Sequence, residues 1–114
     1  MNTDFRTDFD KVVAEKLVKG KEYAKAKSRS WQMQKLEGHI LAVKQKEFIA
    51  SGMPVTRAEV EAKASPEYKT HIDGTSHAIE IEHTNKAEYD NLDSHFEELR
   101  SLCSLEKKTM GFVD

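Results

Sequence analysis

The charges of this chain are sorted along its length, and the sorting falls on two segments that each carry the apolar spacing of a long helix. From Lys11 to Lys46 ten Lys and Arg stand against three Glu, a net of +7. From His71 to Glu106 nine Asp and Glu stand against Lys86 and Arg100, a net of −7. The formal net charge of −2 conceals this division. Such a chain either zips its halves together or shows opposite faces to opposite partners. With 114 residues there is room for one domain, and Leu, Ile, Val and Phe number only 24, so the core must be thin. Balanced signs and regular apolar spacing still favour a helical protein over a disordered chain. A thin core also favours self-association.

Turn and cap residues divide the chain. Phe5, Phe9, Val12, Val13 and Leu17 recur at three and four and predict a short helix over 5–19, capped by Thr3 or Thr7, with Gly20 as its stop or hinge. A basic helix over 21–51 follows, its seam running through Ala26, Met33, Leu36, Ile40, Val43 and Phe48, with Tyr23, Trp31 and Leu41 off the seam. Ser51-Gly52-Met53-Pro54 ends it, because glycine suits a left-handed cap and proline cannot continue a helix. The linker 52–65 contains Thr56-Arg57-Ala58-Glu59, a T-x-x-E capping box that predicts a short helix to Ala64. Ser65-Pro66-Glu67 then sets cap, first-turn proline and dipole-matched acid in order and starts an acidic helix over 66–108.

The apolar positions of that helix are Tyr68, Ile72, Ile79, Tyr89, Leu92, Phe96, Leu99 and Cys103. The last four keep a four-three-four spacing, which predicts a coiled-coil-like oligomerisation seam. A polar gap interrupts the seam from Glu82 to Glu88, and Lys107 and Lys108 offset the dipole at the C-terminal end. The expected fold is therefore all-α: a short N-terminal helix plus a long antiparallel helical hairpin with a short capped connecting helix.

The residues give little to catalysis. Cys103 is the only cysteine, so internal disulfides, thiolate zinc clusters and CxxC pairs are excluded. It lies on the apolar seam of an acidic segment, which marks it as structural rather than nucleophilic. The histidines at 71, 77, 83 and 95 are spaced by six, six and twelve, which rotates their rings apart. One Glu80-x-x-His83 pair is half of a di-iron carboxylate motif and has no second copy. No GxGxxG, Walker loop or GxSxG occurs. The expectation is a non-enzyme without metal or cofactor. Three Asp and one Arg in the first ten residues do not resemble a secretory leader, and no apolar run suits a bilayer. A cytoplasmic protein without membrane contact is expected.

What remains is the basic helix. Cations arrayed with Tyr23, Trp31 and Phe48 are what a sequence-tolerant single-strand binder uses, since charge tracks phosphates and rings accept stacked bases. The candidate nucleic-acid-binding residues are Lys25, Lys27, Arg29, Lys35, Lys44 and Lys46. The competing reading makes Lys25, Lys27 and Arg29 a solvated face and puts Trp31 and Phe48 in the core. The acidic helix either pairs with these lysines or faces a basic protein partner.

The basic helix closes on Lys44-x-Lys46-x-Phe48-x-x-Ser51-Gly52, followed by a capped linker and a long helix with a coiled-coil-like end. This resembles the recombination mediators of T-even-type phages, the UvsY family. The resemblance implies a small helical protein that forms rings, binds single-stranded DNA and loads a RecA-like recombinase. It also implies a Lys-x-Arg pair on the DNA-binding surface. Here Lys44 and Lys46 hold those positions, with lysine in place of the arginine and its bidentate phosphate contact. The expected function is thus that of a phage-type accessory protein, homo-oligomeric, binding single-stranded DNA and a recombination partner. The alternative is a protein–protein module, such as a small phage inhibitor or virion scaffold component, working through its acidic helix.

Overall fold

In the computed structural model the backbone is described for residues 2–111 and the side chains for 6–107. Three helices follow one another: α1 (Asn2–Ala50), α2 (Val55–Lys63) and α3 (Pro66–Gly111). All secondary structure among the described residues is helical, so the class is all-α, with α1 and α3 forming the arms of a helical hairpin. The chain divides into two compact units, one built from the chain up to Ala24 and from His83 onward, the other from Lys25–Glu82. On α3 the division falls inside the polar gap read from the sequence.

In the first unit α1 and α3 run antiparallel, as the order of their contacts shows. Phe9 stacks on Phe96 at 5.3 Å between centroids, and Tyr23 meets Tyr89 at 6.2 Å. Val12 and Leu99 are its buried large apolar residues. The expected separate helix over 5–19 does not exist, because α1 passes through Gly20 without a break. A mid-helix glycine costs only about 1 kcal/mol, which 49 residues of continuous helix absorb. Gly20 makes space instead: a Cβ there would stand 3.3 Å from the Tyr89 ring.

The second unit is held by small and polar residues. Ala26, Ser30, Thr75 and Ala78 are buried, and a Cβ on Gly74 would stand 3.0 Å from the Met33 methyl. Small side chains at such positions let two helix backbones approach closely. The polar groups brought inward are satisfied. Gln34 donates to Ser30 Oγ at 3.0 Å, the His71 Nε2 lies 2.7 Å from the Met33 carbonyl, and the Tyr68 hydroxyl donates to Glu37 at 2.8 Å. No buried side-chain polar atom among the described residues lacks a partner. The seam expected on α1 is thereby corrected. Leu36 is 48% exposed and Val43 is also exposed, while Ser30, Glu37 and Lys44 are buried or half-buried. Apolarity misjudged the inward face because polar residues there are matched, Glu37 and Lys44 across the hairpin and Ser30 within α1.

The junctions follow local chemistry. Gly52 is left-handed at φ 99°, with Met53 N–H bonded to Phe48 O at 3.1 Å and Gly52 N–H to Ile49 O at 3.0 Å, the two bonds of a Schellman cap. The capping box at Thr56 does not form. Pro54 is the N-cap of α2, without a side-chain cap bond, and Ala58 N–H bonds to Pro54 O at 2.9 Å. The preset φ of proline starts the helix before the threonine is reached. Ala58 and Ala62, one turn apart, are fully buried. At α3 the cap is as expected: Ser65 Oγ accepts from Tyr68 N–H at 3.3 Å and donates to Ala62 O at 2.6 Å.

Candidate nucleic-acid interface

The cations of α1 separate into groups once α3 is in place. In the first unit Lys16 pairs with Asp93 at 2.7 Å, and Lys19 pairs with Glu88 and with Glu22. In the second unit Lys44 reaches Glu47 at 2.9 Å and Glu67 at 3.2 Å. Donating hydrogen bonds to these carboxylates holds all three ammonium groups above the ordinary lysine range. Glu67 is pushed below the usual carboxylate range, first by backbone hydrogen bonding at the start of α3 and then by Lys44. Tyr68 is raised because its hydroxyl donates to the Glu37 carboxylate. These lysines are interhelical ties. Lys44, one of the six candidates, is therefore engaged by its own chain.

Lys25, Lys27, Arg29 and Lys46 are exposed and enter no ion pair among the described residues. Lys35 is exposed too, but its Nζ rests 3.6 Å from the centroid of the Trp31 ring. No Asp or Glu occurs from Tyr23 to Leu36. At 3.6 residues per turn, Lys27, Trp31 and Lys35 share one flank of α1, and Lys25 with Arg29 lie about 120–160° round from Trp31. The inward side between the flanks is taken by Ala26, Ser30 and Met33. The aromatic set also divides. Tyr23 is engaged by Tyr89, Phe48 is half-buried, and Trp31 is 58% exposed. Trp31 does not belong to the core.

The proposed oligomerisation seam turns inward. Leu99 is buried and Phe96 stacks on Phe9, with Leu92 and Cys103 half-buried, so the four-three-four stripe packs on α1 of the same chain. The exposed large apolar residues of the first unit are Val13, Leu17 and Val18 on α1 and Leu102 and Leu105 on α3. Two open grooves border α1 there. One, of about 530 Å³, is lined by Val13, Leu17, Gly20, Ala24, Tyr89 and Phe96 with Lys16 and Lys21; the other, of about 390 Å³, by Ala14, Val18 and Leu92 with Glu15 and Lys19. Sequence periodicity missed Val13 and Leu17 as an outer face because they also fit the inward spacing.

Among the described residues no group of His, Cys, Asp and Glu is placed to hold a metal ion, and no helix is long and apolar enough to cross a membrane. No family model matches the chain, and no curated protein or solved structure matches it either.

Proposed function

We propose that this protein is a non-enzymatic accessory factor that binds single-stranded DNA along α1, in the manner of a phage recombination mediator. The observation that carries the reading is the division of the lysines. Lys16, Lys19 and Lys44 tie α1 to α3, yet Lys25, Lys27, Arg29 and Lys46 keep their charge for an outside polyanion, with no carboxylate between Tyr23 and Leu36. A run of uncompensated cations on a helix surface binds phosphates by releasing counterions and selects no base sequence. A RecA-like recombinase as protein partner is carried by the likeness of Lys44-x-Lys46-x-Phe48-x-x-Ser51-Gly52 to the UvsY-type segment.

Self-association belongs to the same proposal. Of the six buried apolar residues among those described, four are alanines, while Val13, Leu17 and Val18 remain exposed. A groove of apolar residues with exposed Lys21 at its edge suits a helix that carries apolar and acidic groups together, and α3 of a second copy, with exposed Leu102 one turn from Glu98, is such a helix. A ring of copies would gather many weak DNA contacts into one multivalent surface.

The test is fluorescence anisotropy of labelled oligo-dT at several salt concentrations, with light scattering on the same sample. The expected result is binding that weakens with salt, at a slope of about −0.7 per phosphate contact, on a particle heavier than one chain. Flat anisotropy at low salt overturns the reading.

A further inference from the structure

The chain has a single tryptophan, and it stands 58% exposed on the outer part of α1. Neither of the other rings near the basic run is open in this way: Tyr23 is held by Tyr89, and Phe48 is half-buried near the helix end. The Lys35 ammonium lies over the Trp31 ring, 3.6 Å from its centroid, and Lys35 enters no ion pair among the described residues. Lys27 precedes Trp31 by one turn on the same flank, so two cations bracket the ring along the helix axis. A cation over an exposed indole is a weak, easily exchanged contact. A nucleobase with its phosphate offers both groups better partners, since the base stacks on the indole and the phosphate takes the ammonium.

We infer that Trp31 is the base-stacking platform of the single-stranded DNA surface and that Lys35 is its removable cover. On binding, a base takes the ring face, and Lys35 leaves the ring for the adjoining phosphate while Lys27 holds the phosphate on the other side. The inference rests on the reading that α1 binds single-stranded DNA. It replaces three interleaved rings with one. Because every base has a stackable face, the contact is tolerant of sequence yet demands a base.

The lone tryptophan makes the test direct. Oligo-dT and an abasic oligonucleotide of equal length and charge are titrated into the full chain, following oligonucleotide anisotropy and indole emission together. Oligo-dT is expected to quench the emission at the same midpoint as the anisotropy change. The abasic strand is expected to bind at least about fivefold more weakly without quenching. Trp31→Ala and Trp31→Leu should each weaken oligo-dT binding about fivefold or more, whereas Trp31→Phe, which keeps a stacking ring, should retain most of it. In DNA-free protein Lys35→Ala should shift the indole emission, and with DNA it should lower the salt slope by about 0.7. Anisotropy that rises with the emission unchanged, and with Trp31→Ala binding normally, overturns the platform and leaves the DNA-binding reading standing. Absence of binding to either strand overturns both.

Discussion

Single residues carry the sharpest tests of the fold, and the glycines separate cleanly. Gly38 lies within α1, and a Cβ added there meets nothing within 4 Å, so Gly38→Ala is expected to stabilise by about 0.5–1 kcal/mol, read as a higher urea midpoint at unchanged slope. Gly20→Ala should gain less, because its Cβ presses on the Tyr89 ring. Gly52, at φ 99°, should do the reverse: Gly52→Ala is expected to cost about 1 kcal/mol through the left-handed backbone. Acid titration reports on Glu67. A carboxyl whose folded pKa is lowered stabilises the fold above its ordinary value, and that contribution drains away as pH falls through the folded value. Stability should therefore decline below about pH 4.5, and Glu67→Gln should make the decline shallower. An equally steep acid transition in Glu67→Gln would contradict this account.

At the scale of the helices, lysines close in sequence do different work. Lys46 stands open, whereas Lys44 is held by Glu47 and Glu67. Lys46→Ala is expected to reduce the salt slope of oligo-dT binding by about 0.7, and Lys44→Ala to leave that slope nearly unchanged. Equal slope losses in the two variants would mean that the Lys44 ties open when DNA binds. The stripe of α3 is an intrachain element. Phe96→Ala, which removes the ring stacked on Phe9, should destabilise the chain by about 1.5–3 kcal/mol at any protein concentration. The helical seam of α3 could be read directly, since the eight apolar positions assigned to it, Tyr68 to Cys103, are all buried or half-buried. On α1 the pattern misled, because inward Glu37 and Lys44 meet Tyr68 and Glu67 across the hairpin and inward Ser30 accepts from Gln34 of its own helix, so all three look like solvent positions in a list of residues.

For the molecule as a whole, the self-association proposed above would cover the open Val13, Leu17 and Val18 and so tie stability to protein concentration. Thermal midpoints should rise with protein concentration, and Leu17→Asp, at a residue 64% exposed, should abolish that rise and lower the mass seen by light scattering while leaving the helical signal intact. A monomeric mass at all concentrations would remove self-association from the functional reading. Residue order alone was enough for the all-α class, the break at Ser51–Pro54, the restart at Ser65–Pro66 and the opposed charge blocks, because caps, proline geometry and helical periodicity act within a few residues. It could not decide whether α1 would pause at Gly20, which lysines would spend their charge on carboxylates, or whether Trp31 would be buried. Those outcomes depend on which side chain of a distant helix arrives opposite: Tyr89 at Gly20, Asp93, Glu88 and Glu67 at three of the lysines, and no covering helix at Trp31. Contacts of that kind arise only when residues far apart in the chain are folded against each other.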